Sequence, residues 1–414
     1  MALTFEQKLQ NYAELAIRVG LNLQPGQRLM IRRAPIDCAP LVRALAASAY
    51  KAGARLVDVN WQDEQLILTR FQHAPRDSFT EYPDWRAEGL LKAVQRGDAM
   101  LSLHGVNPRL LDGQDPELVS IATKTAQEHT RPALEFLSRD GTNWLVFAAP
   151  TPSWAAHVFP DAPPEEQIAR LWDAVFAATR ADRPDPIAEW ERHIQQLRAR
   201  SRYLTAKQYT ALHYTAPGTD FTLGLPKGHI WKSAGSHTQT GIPFTANIPT
   251  EEVYTLPHRE QADGVVTASM PLNYNGTLIE NFTLTFANGR VTKITAQQGE
   301  TILQRMVDTD DGAGRLGEVA LVPHSSPIAQ SGILFYNTLF DENASCHLAL
   351  GRAYPVCLEG GTEMEKPDFE AAGGNNSLIH VDFMVGSAKM NIDGITENGD
   401  AEPVMRNGEW AFEV

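Results

Sequence analysis

Residues 27–61, QRLMIRRAPIDCAPLVRALAASAYKAGARLVDVNW, decide the architecture of the first half of this chain. Residues 27–33 read as a short strand. Residues 39–53 read as a helix that ends at Gly53, and residues 54–61 as the next strand. Strand, helix, strand is the pattern that joins parallel strands through a crossover. Two more apolar runs bounded by turn residues, DAMLSLHG at 98–105 and NWLVFAAP at 143–150, extend the alternation. An α/β domain with a mostly parallel sheet is therefore expected.

The turn after the first strand, RRAPIDCAP, has no glycine, and no GxGxxG or GxxxxGK[ST] occurs in the early strand-to-helix turns. A nucleotide-binding reading of this half is therefore weak. Residues 163–180 open with prolines and acids, as helix N-termini do, and residues 186–204 form a second helix of the same kind. These helices close the first domain or bridge to the second. From about residue 207 the texture changes. Residues 209–226 look like a hairpin, and residues 263–297 are strand after strand with YNGT and ANGR as turn signals. A short helix follows at 299–310. The expectation is an N-terminal α/β domain over 1–206 and an α+β domain rich in antiparallel strands over 207–414.

Bulk properties agree with two soluble domains. A chain of 414 residues is long for a single core. A formal charge of −14 disfavours a nucleic-acid or anionic-membrane partner, though it leaves room for a local basic patch. No stretch of about 18 apolar residues is present, and the amphipathic N-terminus does not read as a signal peptide. Three cysteines (Cys38, Cys346 and Cys357), odd in number and without CxxC spacing, fit a reducing cytoplasm.

Residues able to do chemistry concentrate in the second half. NIPTEEVYTLPH at 247–258 holds Glu251 and Glu252. A glutamate alone is ordinarily a solvated side chain. If this segment is a strand, Glu252 and Tyr254 share one face and Glu251 and Val253 the other, so only one glutamate can aim at a common centre. Glu318 heads the apolar run GEVALV, which offers it little water if the strand is central; a buried carboxylate needs a partner or a cation. In FDENASCHLALGRAYP, His347 and Tyr354 are seven apart and would share a helical face, with a core hydrogen bond as the plain alternative. Glu342 lies off that face, at or before the helix start. In NNSLIHVDFMVGS at 375–387, strand alternation aims Leu378, His380 and Asp382 to one side and Ile379, Val381 and Phe383 to the other. His380 and Asp382 alone read equally well as a structural pair at a sheet edge.

Taken together, carboxylates and imidazoles without cysteine suit a hard-to-borderline divalent ion such as Zn, Co or Mn. The set exceeds what one ion needs and suits two ions sharing ligands. Tyr354 is then placed to donate to a developing oxyanion, and a carboxylate not consumed by ligation to act as general base. A di-metal phosphoesterase would want Arg or Lys beside the ions; Arg352 and Lys389 are the candidates. A metal- or peptide-binding protein without turnover is the non-enzymatic reading.

At these residues the chain resembles the thermophilic-type metalloaminopeptidases, the aminopeptidase T and aminopeptidase S group. NIPTEEVYTLPHR, GEVALVPHSSPI, FYNTLFDENASCHLALGRAYP and NNSLIHVDFMVGS follow that family's blocks in order, and VMRNGEWAF resembles its C-terminal segment. The likeness covers essentially the whole chain. By position it implies Glu252, Glu318, Glu342, His347, His380 and Asp382 as metal ligands, with Glu318 serving both ions. It implies Tyr354 as the catalytic tyrosine; in the mechanism this suggests, Glu318 or another carboxylate manages protons. It also implies two divalent ions (zinc or cobalt, with manganese or magnesium as alternatives), peptide substrates with a free N-terminus, and a homodimer.

Overall fold

The strand expected at the start of the chain forms over Arg28–Pro35 and leads into a helix at Ala39–Lys51. Gly53, at φ +94°, turns the chain out of that helix in a conformation that disfavours a Cβ. The next strand, Leu56–Gln62, lies parallel to the first. Strands Ala99–His104 and Trp144–Ala148 add on the other side, also parallel. The computed structural model describes residues 3–105, 107–274 and 277–414. Its Cα framework separates into two units, Met1–Arg192 with Gly235–Pro249, and His193–Ala234 with Thr250–Val414. The division falls inside the long helix Pro186–Lys207.

The first unit is an α/β layer structure. Its sheet gains a fifth strand that composition does not announce: Asn247–Ile248 pairs parallel with Trp144–Ala148, Asn247 opposite Val146. A helix at Pro116–Ser138 is likewise silent in the reading above. On one side Tyr12 stacks on Phe147 with centroids 3.9 Å apart, and Trp172 and Phe176 pack edge-on against Tyr12.

The second unit is built on antiparallel strands. The expected hairpin is Ala211–Ala216 with Thr219–Gly224. It sits in an eight-stranded antiparallel sheet that also takes in Ala262–Thr267, Thr283–Ala287 and Arg290–Thr295. ANGR is a turn with Asn288 and Gly289 both at positive φ, whereas two residues of the YNGT turn lie outside the described residues. The helix expected at 299–310 spans Glu300–Val307.

A second sheet carries the chemistry. Its strand order is His380–Met384, His347–Gly351, Leu316–Leu321, Val253–Thr255 and Lys232–Ser233, all antiparallel. One face is apolar: Val253, Val319, Leu321, Leu348, Leu350 and Phe383 sit fully inside the core. Each such side chain contributes about 1.5–3 kcal/mol on burial. That sum offsets the cost of holding charged groups on the opposite face of the same strands.

Two expectations are corrected here. The segment from His347 is a strand, not a helix, because Leu348 and Leu350 alternate into the core; Tyr354 follows in a loop before a 3₁₀ turn. Leu378 does not share the face of His380 and Asp382: it precedes the strand, which starts at His380, and is 84% exposed. Among the described residues, no helix is long and apolar enough to cross a membrane.

Candidate metal centre

Pairing across this sheet places the polar residues. Glu318 lies opposite Ala349, which lies opposite Asp382. Ala320 lies opposite both Tyr254 and His347, and Gly351 lies opposite His380. Directly opposite residues share a face, so Tyr254, Glu318, His347, His380 and Asp382 project from one side. The positions between them on that side are Ala320, Ala349 and Gly351, which leave space above the sheet.

Glu318 reaches this face through an irregularity. Leu316 and Glu318 are two apart, and plain alternation would put both in the core or both outside it. A β-bulge between Leu316 and Glu318 adds one residue, Gly317, and turns Glu318 away from Leu316. A Cβ on Gly317 would stand 2.3 Å from the Gly351 carbonyl oxygen, so glycine is required by close approach. The Glu318 strand is the middle one of five, and Glu318 is only 5% exposed.

The side chains converge in two groups that share Glu318: Glu252, Glu318 and His347, and Glu318, His380 and Asp382. In each group the candidate ligand atoms lie within 4.8 Å of one another. His347 Nε2 is 3.2 Å from Glu252 Oε2 and 3.5 Å from Glu318 Oε1. His380 Nε2 is 3.8 Å from Glu318 Oε2 and 3.4 Å from Asp382 Oδ1. Glu318 thus turns one oxygen to each imidazole.

Both imidazoles are anchored by their other nitrogen. His347 Nδ1 is 3.2 Å from the Ser345 carbonyl oxygen, and His380 Nδ1 is 2.7 Å from that of Arg352. A carbonyl only accepts, so Nδ1 carries the proton and donates. In the neutral ring Nε2 then offers a lone pair to the carboxylates. Lone pair facing lone pair is repulsive, and Asp382 Oδ1 is moreover buried with no hydrogen-bond partner. The arrangement calls for cations between these atoms, and the donor set of oxygen and imidazole nitrogen fits divalent metal ions.

Without a metal, protons take that role. Burial lifts the Glu318 carboxyl, with the Asp382 and Glu252 charges adding to the push, to about 7. Burial and then the same two charges lift Glu342 well above the usual carboxylate range. Burial works against charge on the two imidazoles, yet the carboxylates prevail: His380 rises to about 9 and His347 also rises strongly. Asp382 is held below its ordinary value, since the His380 contact and the two imidazolium charges outweigh burial.

The remaining sequence candidates are placed as follows. Glu342 opens a short 3₁₀ turn and belongs to neither group, but its carboxyl feels Glu252, Asp382 and Glu318 directly. Tyr354 packs its ring 4.8 Å from that of His380, and burial with the Glu318, Asp382 and Glu342 charges keeps its hydroxyl protonated. Glu251 goes elsewhere: its Oε2 is 3.4 Å from His193 Nε2, while Glu252 faces His347. Tyr254, whose ring stands edge-on 6.2 Å from Tyr354, joins the site wall. Its place beside Glu252 in strand alternation was the available signal. The carbonyls of Ser345 and Arg352, and the bulge, have no such signal.

Comparison with known proteins accords with this geometry. The family model described as thermophilic metalloprotease (M29) matches residues 5–410. Aminopeptidase 2 of Geobacillus stearothermophilus is 49% identical over 410 residues, covering 99% of each chain. Aminopeptidase T of Thermus thermophilus is 46% identical over 406 residues, covering 98% of this chain and 99% of that protein. A solved structure titled wild-type AmpT from Thermus thermophilus superposes with a TM-score of 0.93 at 45% identity, covering 99% of this chain and 100% of the other.

Proposed function

The chain belongs to the thermophilic metalloprotease family M29, and on that footing we propose that it is a metal-dependent aminopeptidase acting on peptides with a free N-terminus. The observation that carries the reading is the pair of carboxylate–imidazole groups joined by Glu318. The aminopeptidase names of its relatives support it. Glu252, Glu318 and His347 would hold one divalent ion and Glu318, His380 and Asp382 a second, with Glu342 beside them as the remaining ligand. Such ions supply Lewis acidity, polarising a peptide carbonyl and acidifying water.

The chain's own groups do the rest. An acidic interior would favour a free α-amine over a blocked one, which distinguishes an N-terminus from an internal bond. Glu318, or another carboxylate of the set, manages the proton that leaves the water and returns to the departing amine. Tyr354, protonated throughout the physiological range, donates its O–H to the oxyanion that develops on the carbonyl. Zinc or cobalt suits the donors best, with manganese or magnesium as substitutes. Catalysis is assigned to residues 207–414, with residues 1–206 as the N-terminal domain. A homodimer in a reducing cytoplasm is part of the same proposal, and the three buried free cysteines agree with that compartment.

The test is release of the first residue from a free peptide and from its N-acetylated form. Cleavage of the free form alone, lost on chelation and restored by Zn or Co, supports the reading. Equal cleavage of both overturns it.

A further inference from the structure

Asn343 stands between two limbs of the centre, and its side-chain hydrogen bonds among the described residues go to backbone groups. It follows Glu342 in the 3₁₀ turn and is fully buried. Its Oδ1 accepts a 2.7 Å hydrogen bond from the backbone N–H of Glu251, the residue before Glu252. Its Nδ2 donates to the Leu339 carbonyl at 3.1 Å, and its own carbonyl accepts from Ser326 Oγ at 3.2 Å. One amide therefore ties the Glu252 limb to the Glu342 limb, although the two are far apart in sequence.

The far side of the Glu252 limb is held as well. His193 Nε2 is 2.8 Å from the Thr250 carbonyl and 3.4 Å from Glu251 Oε2. The peptide bearing Glu251 and Glu252 is thus gripped on both sides by buried polar groups. Buried hydrogen bonds of this kind are costly to leave unmade, so they specify one arrangement of backbone. Glu252 immediately precedes the strand Val253–Thr255, outside the ladder that fixes Glu318, His347 and Asp382. The sheet register alone does not set its direction.

We propose that Asn343 is a positioning residue that aims Glu252, and with it the Glu252–Glu318–His347 group, by clamping the Glu251 amide to the Glu342 turn. The proposal rests on the two-group reading of the centre above. It explains why a glutamate with no place in either group is buried next to one that has: Glu251 is the anchor and Glu252 the aimed side chain. The group of Glu318, His380 and Asp382 is set by cross-strand pairing and does not depend on the clamp.

The experiment is stepwise Co²⁺ titration of the metal-free full chain, followed by its visible absorption, for wild type, Asn343→Leu and Asn343→Asp. Leucine is similar in volume but removes both hydrogen bonds; aspartate keeps an oxygen toward the Glu251 N–H. The expected result for Asn343→Leu is an intact melting transition and about 10–100-fold weaker binding at one of two Co²⁺ sites, the other unchanged. Asn343→Asp is expected to restore the weakened site to within about threefold of wild type. Unchanged binding in Asn343→Leu overturns the proposal, as does equal weakening of both sites or failure of aspartate to restore the affected one. If Asn343→Leu does not fold, Asn343→Asp decides: near-wild-type binding supports the clamp, and tenfold weaker binding with an intact melt overturns it. A wild-type protein that takes up one Co²⁺ refutes the two-ion reading itself. The clamp then stands only if Asn343→Leu weakens that single site.

Discussion

Loading the metal-free protein with divalent ions should expel more than about one proton per chain at pH 7. The count comes from the cluster itself. Glu318, raised to about 7, is half protonated at that pH. Glu342 is raised well above the carboxylate range, which adds to the count. His380, at about 9, and His347, also raised, carry the imidazolium form. Ligation needs ionised carboxylates and neutral imidazoles, so Glu318 gives up about half a proton and His380 about one, with Glu342 and His347 adding to that. Isothermal titration of Zn²⁺ into the metal-free chain, repeated in buffers of differing ionisation enthalpy, reads the number from the slope. At pH 8.5 Glu318 is already ionised and His380 partly neutral, so the count should fall by about half to one proton. Release of less than about one proton at pH 7, or a count that does not fall with pH, would refute the assignment of the ions to this set. The same shifts fix the sign for stability without metal. Each raised group contributes stability that is present below its unfolded pKa and lost as pH rises through its folded one. For Glu318 that window runs from 4.5 to about 7, and for His380 from 6.5 to about 9. The metal-free melting temperature should therefore fall from pH 6 to pH 9, and saturating Zn²⁺ should abolish the fall.

Two substitutions probe other parts of the centre. Tyr354→Phe should keep both ions by elemental analysis and lose about 10²–10³ in kcat, since only an oxyanion donor is removed; loss of metal would make the tyrosine a ligand or a structural group. Gly317→Ala places a methyl 2.3 Å from the Gly351 carbonyl oxygen and 2.5 Å from that of Arg352, the carbonyl that orients His380. It should lower stability by about 1–3 kcal/mol in urea denaturation and weaken metal binding; a variant equal to wild type in both would refute the bulge argument.

Much of this was legible without coordinates, for identifiable reasons. The parallel sheet followed from apolar runs alternating with a helix that stops at Gly53. His380 and Asp382 could be placed on one face because strand alternation is a local rule, and they are held there by pairing with Gly351 and Ala349. The burial of Glu318 was visible in the apolar run around it. Local rules misled where they were extended past an element's end: Leu378 lies before the strand, and the seven-residue spacing of His347 and Tyr354 spans a strand and a loop instead of a helix.

By itself, then, the sequence determined the two fold classes, the types of donor side chain and the shared face of His380 and Asp382, because periodicity and donor chemistry act within a few residues. Only the tertiary structure decided which glutamate of the Glu251–Glu252 pair faces the histidines, since the answer depends on His193 and Asn343, both remote along the chain. It also decided how Glu318 leaves the face of Leu316, through a bulge that exists only because Gly317 meets the Gly351–Arg352 backbone of the neighbouring strand. Contacts of that range depend on register between strands, and register is a property of the folded sheet, not of either strand alone.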